Sequence, residues 1–332
     1  MRRAIYAAVF GGLCVLMACL AFPMGMSFMS PSFDYGSTAV GKADRYLNEK
    51  MYFDLFKFLS VDAFFLAMLF YLRVERSWGW RKLGMLACVF VIVVVVTLYP
   101  LLAIINVAMI AACDNPPIFD EREKRAIFPY SRVIESHYES IAREYGDYER
   151  LHDARIECTF SQTPAFKIGE KNKDKCWRMI MLKKAGRFTD DGLRHFPAVC
   201  KICDRKAIHS AFFSILDPHV NIPPHIGYYK GYLRYHLGVV IPQEGAGGPY
   251  INVGGENYFW ENGQGVLFDD MFLHYVNNPT ARRRVVLYID LIRPLTGVWG
   301  AMNDAVINAI EHNPFVKYFV SRQHAQRKND DG

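Results

Sequence analysis

Three long apolar runs, all within the first 112 residues, constrain this chain more than any other feature. Residues 4–22 carry no charged side chain and follow Arg2 and Arg3. A cleaved signal peptide is the competing reading, but its apolar core is usually only about 7–15 residues long. Residues 54–72 form a weaker run, interrupted by Asp54, Lys57 and Asp62. Residues 84–112 are apolar throughout, beyond the roughly 20 residues needed to cross a bilayer, and Pro100 is placed to kink the run or split it into a hairpin. The pattern predicts transmembrane helices over 4–22, 54–72 and 84–112. The chain is thus expected to be an integral membrane protein, of an endoplasmic reticulum or a bacterial inner membrane. The basic loop with Arg73, Arg76, Arg81 and Lys82 should face the cytosol. Three full spans would place the C-terminal part on the opposite side, whereas a hairpin over 84–112 would keep it cytosolic. Both arrangements stay open.

Beyond residue 112 the chain reads as soluble protein. Residues 113–130 look like a linker rich in proline and charge. Residues 131–147 carry Ile134, Tyr138, Ile141 and Tyr145 at helical spacing. From about residue 208 the period becomes strand-like, with short β-rich runs such as HSAFFSIL, YLRYHLGVVI, GVLFDD and RRVVLYIDLI separated by Gly, Pro or Asn. Six or more strands in about 85 residues predict a mainly β domain over 131–300, a jelly roll or double-stranded β-helix with flanking helices. Residues 301–332 should form a C-terminal helix and polar tail. The net charge of +6 comes from scattered basic residues, which argues against nucleic acid as a partner.

Chemistry-bearing residues gather within 214–284. His225 lies in PPHIG, His236 in RYHLGVVIP, His274 after the acidic pair of FDDMFLH, and Arg284 at the start of RRVVLYIDL. Singly, each has a bland reading as a core histidine or a surface charge. Together, two histidines about fifty residues apart with an arginine ten residues on suit a metal site with an anionic co-substrate. Imidazole favours iron, zinc or copper, and an arginine forks onto a carboxylate.

At these residues the chain resembles the aspartyl/asparaginyl β-hydroxylase family of iron(II)/2-oxoglutarate dioxygenases, which includes lipid A acyl-chain hydroxylases. The resemblance runs from about residue 115 to 300 and is densest in PPHIGYYKGYLRYHLGVVIP and GVLFDDMFLHYVNNPTARRRVVLYIDLIRPL. It implies Fe(II), 2-oxoglutarate and O2, with His225 and His274 as iron ligands. It also implies that Arg284, helped by Ser214, binds the distal carboxylate of 2-oxoglutarate, that His236 contacts the same molecule, and that Arg234 lines the pocket facing a substrate or co-substrate carboxylate. One departure stands out: where many iron dioxygenases have H-x-D, this chain has His225-Ile226-Gly227. Glycine there is similar to the protein-hydroxylating branch, whereas the apolar runs and RPL tail look more like the lipid A branch. The resemblance therefore implies hydroxylation of the β-carbon of Asp or Asn in a protein, with a lipid acyl chain as the alternative substrate. A non-catalytic jelly-roll module binding an anionic ligand at a membrane is the alternative of a different class.

Other motifs carry less. Cys158, Cys176, Cys200 and Cys203 allow two disulfides or free thiols, and Cys200-Lys-Ile-Cys203 lacks the second C-x-x-C of a zinc site. Asp269 and Asp270 are expected in a turn, and His209 and His219 in structural roles.

Overall fold

The run Arg284–Ile292 shows why this chain builds two layers rather than one. Its residues alternate between two different apolar environments, which requires a strand covered on both faces. In the computed structural model, which describes residues 71–73, 76–97, 105, 106, 108–110, 112–152, 177–227, 229–243 and 247–312, this run is the central strand β11. Eleven strands are described: β1 (Ile118–Phe119), β2 (Trp177–Lys184), β3 (Arg187–Phe188), β4 (Ile208–Leu216), β5 (Asn221–His225), β6 (Tyr232–Val240), β7 (Tyr250–Val253), β8 (Glu256–Phe259), β9 (Gly265–Phe268), β10 (His274–Asn277) and β11. They form a seven-stranded sheet in the order β1-β9-β6-β11-β4-β2-β3 and a four-stranded sheet in the order β5-β10-β7-β8, with every pairing antiparallel. From β4 to β11 successive strands change sheet at every step except the β7–β8 hairpin, giving β4-β11-β6-β9 facing β5-β10-β7-β8. That order is an eight-stranded jelly roll, and the mainly β expectation with flanking helices holds.

The large sheet separates two cores. On one face Val285, Leu287 and Ile289 of β11 pack with Phe213, Tyr235 and Leu237 against helical residues Ile134, Ile141, Tyr145, Phe196 and Val199. On the other, Val286, Leu216, Val266 and Phe268 meet Ile222, Ile251, Val253 and Val276 of the small sheet. The helices on the first face are α2 (Glu121–Ile127), α3 (Ser131–Ser136), α4 (Tyr138–His152), α5 (Asp190–His195) and α6 (Pro197–Ile202); α7 (Gly297–His312) follows the last strand. Local chemistry sets their ends. Asp120 and Glu123 form a reciprocal capping box at α2, Thr189 caps α5, and α6 starts with Pro197 at its first turn. Glu144 of α4 accepts from the free backbone N–H groups of Ala198 and Val199 at 2.9 and 3.0 Å. The stretch expected to be a linker thus contributes β1, paired with β9, and all of α2.

The chain divides into two compact units, and residues 112–114 end the first while 115–312 form the body of the second. In the first unit the structure describes one long helix, α1 (Trp80–Thr97), of 18 residues. Among the described residues no helix is long and apolar enough to cross a membrane. At about 1.5 Å per residue α1 is roughly 27 Å long, and Arg81 and Lys82 occupy its first turn. The apolar run 4–22 and residues 54–70 of the second run lie outside the described residues, as does the polar tail from 313. Cys200 and Cys203 are free and buried, and burial pushes both thiols up to about 12. They are therefore protonated, inert structural thiols rather than a disulfide or a redox pair. Cys158 and Cys176 lie outside the described residues.

Phe213 is fully buried between Tyr145 and Phe196, with ring centroids 5.2 and 5.1 Å away. Phe213→Ala should cost about 3–5 kcal/mol, far more than Phe259→Ala at a half-exposed position. Denaturant unfolding of the two variants checks this; equal losses would mean that the helix-side core does not hold the sheet.

Candidate active site

The second core is apolar at its rim and polar at its centre. Registry places the polar side chains there. On the inter-sheet face of the large sheet, Val286 of β11 is opposite Ser214 of β4, Tyr288 is opposite His236 of β6, and Asp290 is opposite Arg234. Arg284 begins the same row. From the small sheet, His274 on β10 is the direct cross-strand partner of His225 at the end of β5. The register slips by one residue between these histidines and Ile222, a bulge at Pro223-Pro224 on the edge strand, where missing N–H groups do least harm.

The two imidazoles lie with ring centroids 4.0 Å apart. His274 is buried and its Nδ1–H donates to the Phe272 carbonyl at 2.9 Å, which leaves Nε2 as the nitrogen with a lone pair. A contiguous series of rings leads from there to Arg284. His274 meets Phe268 at 6.2 Å, Phe268 meets His236 at 4.8 Å, and His236 stacks near-parallel to Trp260 at 5.9 Å. The Arg284 guanidinium lies 4.7 Å from the centre of the Trp260 ring. The structure therefore brings together His225, His274, His236, Arg284 and Ser214 in the inter-sheet space.

Arg284 is 1% exposed and has no carboxylate partner among the described residues. Its NH1 group donates to both the carbonyl and the hydroxyl of Ser214, each at 3.2 Å, and Trp177 Nε1 donates to the same hydroxyl at 2.9 Å. Burial pushes Arg284 down to about 9, so it stays cationic at neutral pH. His236 is held well below its ordinary value by burial and by Arg284, His274 and Arg234, and is neutral.

Arg234 is a different case. Its Nε donates to Asp270 at 2.9 Å and its NH1 to Asp290 at 2.6 Å. Burial opposes its charge, but the two carboxylates outweigh burial and hold it well above its ordinary value. The expectation that Arg234 faces a substrate or co-substrate carboxylate meets an arginine already committed to two of the chain's own.

The acidic pair before His274 lies in the turn that the sequence suggested, and that turn is buried. Asp269 is fully buried, accepting from Lys230 at 2.5 Å and Arg293 at 2.6 Å. Burial would raise its carboxyl, yet these two cations hold it well below the usual carboxylate range. Asp269 also accepts from the Met271 backbone N–H, and so fixes the turn that delivers His274. Asp270 reaches across to Gly227. The Gly227 N–H donates to the Asp270 carbonyl at 2.6 Å, and a Cβ at residue 227 would overlap the Asp270 carboxyl group. The place where a side chain at 227 would begin is filled by a carboxylate from residue 270. His209 has the expected structural role, bonded to the Tyr232 hydroxyl at 2.9 Å and buried.

The family model for aspartyl/asparaginyl β-hydroxylase matches residues 135–294. The ornithine lipid ester-linked acyl 2-hydroxylase of Rhizobium tropici is 30% identical over 211 residues, covering 62% of this chain and 71% of that protein. The aspartyl/asparaginyl β-hydroxylase of Homo sapiens is 31% identical over 127 residues, 36% of this chain but only 16% of that protein. Aspartate β-hydroxylase domain-containing protein 1 of Homo sapiens is 28% identical over 184 residues, 52% of this chain and 44% of that protein. On these matches the chain belongs to the aspartyl/asparaginyl β-hydroxylase family and is an enzyme of the dioxygenase class.

Proposed function

We propose that this enzyme uses iron(II), 2-oxoglutarate and O2 to hydroxylate a lipid acyl chain, held at a membrane by the apolar runs of its first 112 residues. The observation that carries the substrate assignment is the state of Arg234. A substrate carboxylate needs an uncompensated cation in a buried site, and Arg234 is already shared between Asp270 and Asp290. Once Arg284 is taken by a co-substrate, the remaining charges on this face are one arginine and two carboxylates. That balance repels an aspartyl side chain and is indifferent to an alkyl chain. The same face is apolar toward β2. Met179 is opposite Ser214 and Met181 opposite Phe212, which stacks on Tyr288 at 4.2 Å. Hydroxylation of Asp or Asn in a protein is the second reading, favoured by His225-Ile226-Gly227.

The residues fit a metal of imidazole-preferring type. His225 and His274 would hold it, His274 through Nε2, because its Nδ1–H is donated to the Phe272 carbonyl. Among the described residues no group of three or more His, Cys, Asp or Glu could hold a metal ion. Bound iron(II) supplies the activation of O2 and the oxidation of the C–H bond, one oxygen atom entering the substrate and the other succinate as carbon dioxide leaves. The chain does the rest. Arg284, fixed by Ser214, receives the distal carboxylate, neutral His236 lies beside it, and the paired sheets exclude water.

His225→Ala and His274→Ala should each abolish metal-dependent succinate production, while Arg284→Ala should chiefly raise the 2-oxoglutarate requirement. Full turnover in either histidine variant would remove these ligands from the mechanism. Mass spectrometry of extracted lipids and of peptides after reaction should find the added oxygen in lipid; finding it only in peptides would sink the acyl-chain reading. A chain that neither binds iron nor turns over 2-oxoglutarate would instead be the non-catalytic module.

Gly227→Asp should not create a better iron site. The new side chain has no room beside Asp270, so the variant should lose about 1–3 kcal/mol through overpacking together with most activity. The double change Gly227→Asp with Asp270→Gly should recover part of the stability. Melting curves decide it: a Gly227→Asp protein as stable and active as the parent would contradict the overlap.

A further inference from the structure

Four buried nitrogens in the inter-sheet space have no hydrogen-bond partner among the described residues. They are Nδ1 and Nε2 of His236, Nε of Arg284 and Nε1 of Trp260. Buried polar atoms almost always find a partner, so an isolated orphan is unusual and a cluster of orphans on touching rings is more so. Trp260 is 1% exposed, Arg284 1% and His236 5%. The indole lies over the Arg284 guanidinium at 4.7 Å and near-parallel to the His236 ring, 26° from coplanar. An indole that served only as core filling would not need its N–H buried without an acceptor, and it would not be stacked on a cation that has no carboxylate partner among the described residues.

We propose that Trp260 is a binding residue for the co-substrate, its indole N–H donating to the carboxylate that Arg284 receives while its ring face holds the guanidinium in place. The inference rests on the co-substrate reading given above. Ser214 occupies the NH1 group of Arg284 through two oxygens, which fixes the fork and leaves Nε for the incoming carboxylate. The carboxylate is an acceptor only. It can satisfy Nε of Arg284, the protonated nitrogen of His236 and Nε1 of Trp260 together, which no water molecule could do with compensating charge. In the absence of a ligand, the ring face of Trp260 lowers the cost of leaving the cation desolvated.

Trp260→Phe separates the two contributions, since it keeps a ring face and removes the donor. The test is equilibrium binding of 2-oxoglutarate to the full-length chain in the presence of Mn(II), a redox-inert stand-in for iron(II), by calorimetry. The dissociation constant should rise about tenfold in Trp260→Phe, as loss of a charge-assisted hydrogen bond implies, with Mn(II) binding in the absence of 2-oxoglutarate unchanged. A wild-type measurement guards against misfolding of the variant: adding 2-oxoglutarate should give a red-shifted tryptophan band in the near-ultraviolet difference spectrum. Equal 2-oxoglutarate affinity in wild type and variant, or no tryptophan band on binding, overturns the role of Trp260 alone. A wild-type chain that binds Mn(II) but not 2-oxoglutarate overturns the co-substrate reading and Trp260 with it.

Discussion

A guanidinium buried between two β-sheets with no counter-ion among the described residues has to be explained before anything else in this molecule makes sense. Desolvating a charge costs several kcal/mol even after relaxation, and among the described residues no carboxylate pairs with Arg284. The chain has supplied a serine that fixes one end of the fork and an indole that covers one face. Both orient the cation, and neither neutralises it. The rest of the jelly roll can be seen as the frame that holds this charge. β11 presents Arg284 inward at its first residue, β4 brings Ser214 beside it, β6 brings His236, and the small sheet closes the other side with the paired histidines.

Four other buried cations show how selective that arrangement is. Lys230 and Arg293 share Asp269, Arg234 is shared between Asp270 and Asp290, and Lys124 bonds Glu135 at 2.8 Å. In each of these cases the folded chain carries its own compensation. Arg284 is the exception within the site, and it lies where the orphaned nitrogens of His236 and Trp260 collect. Electrostatics thus distinguishes two arginines on the same sheet face that composition would treat alike: Arg234 is paired with two carboxylates, and Arg284 with none among the described residues.

Much of this was legible in the sequence, and the parts that were not share a cause. The strand pattern after residue 208 revealed the β domain because side-chain alternation is local, and the spacing of His225, His274 and Arg284 within known motifs pointed to the site. Sequence could not show that β1 and α2 in the supposed linker join the fold, because a two-residue strand has no period of its own. It could not show that Arg234 is neutralised, because Asp270 and Asp290 lie 36 and 56 residues away along the chain. Trp260 gave no signal at all. An aromatic residue after a short strand is ordinary, and only the ring stack on Arg284 makes it informative. Among the apolar runs, α1 accounts for the first part of the third, and it begins with the cationic pair that the run's composition had left outside.

The same contrast between chain position and spatial position bears on Gly227. As a motif, His225-Ile226-Gly227 reads as the loss of a carboxylate two residues after a metal-binding histidine. In space the loss is filled, because the Asp270 carboxyl group lies where a side chain at 227 would start. Two further constraints keep it there. Arg234 holds one Asp270 oxygen at 2.9 Å, and the Asp270 carbonyl accepts from Gly227 itself at 2.6 Å. Glycine at 227 and aspartate at 270 are therefore one structural solution, in which the smallest side chain on β5's exit makes room for an acidic one on the turn before β10. A carboxylate delivered by that turn is tied to Arg234, and through it to Asp290 on β11. The charge balance on this face of the large sheet and the geometry beside the paired histidines are consequently set by the same four residues, Gly227, Arg234, Asp270 and Asp290, and neither can be changed without disturbing the other.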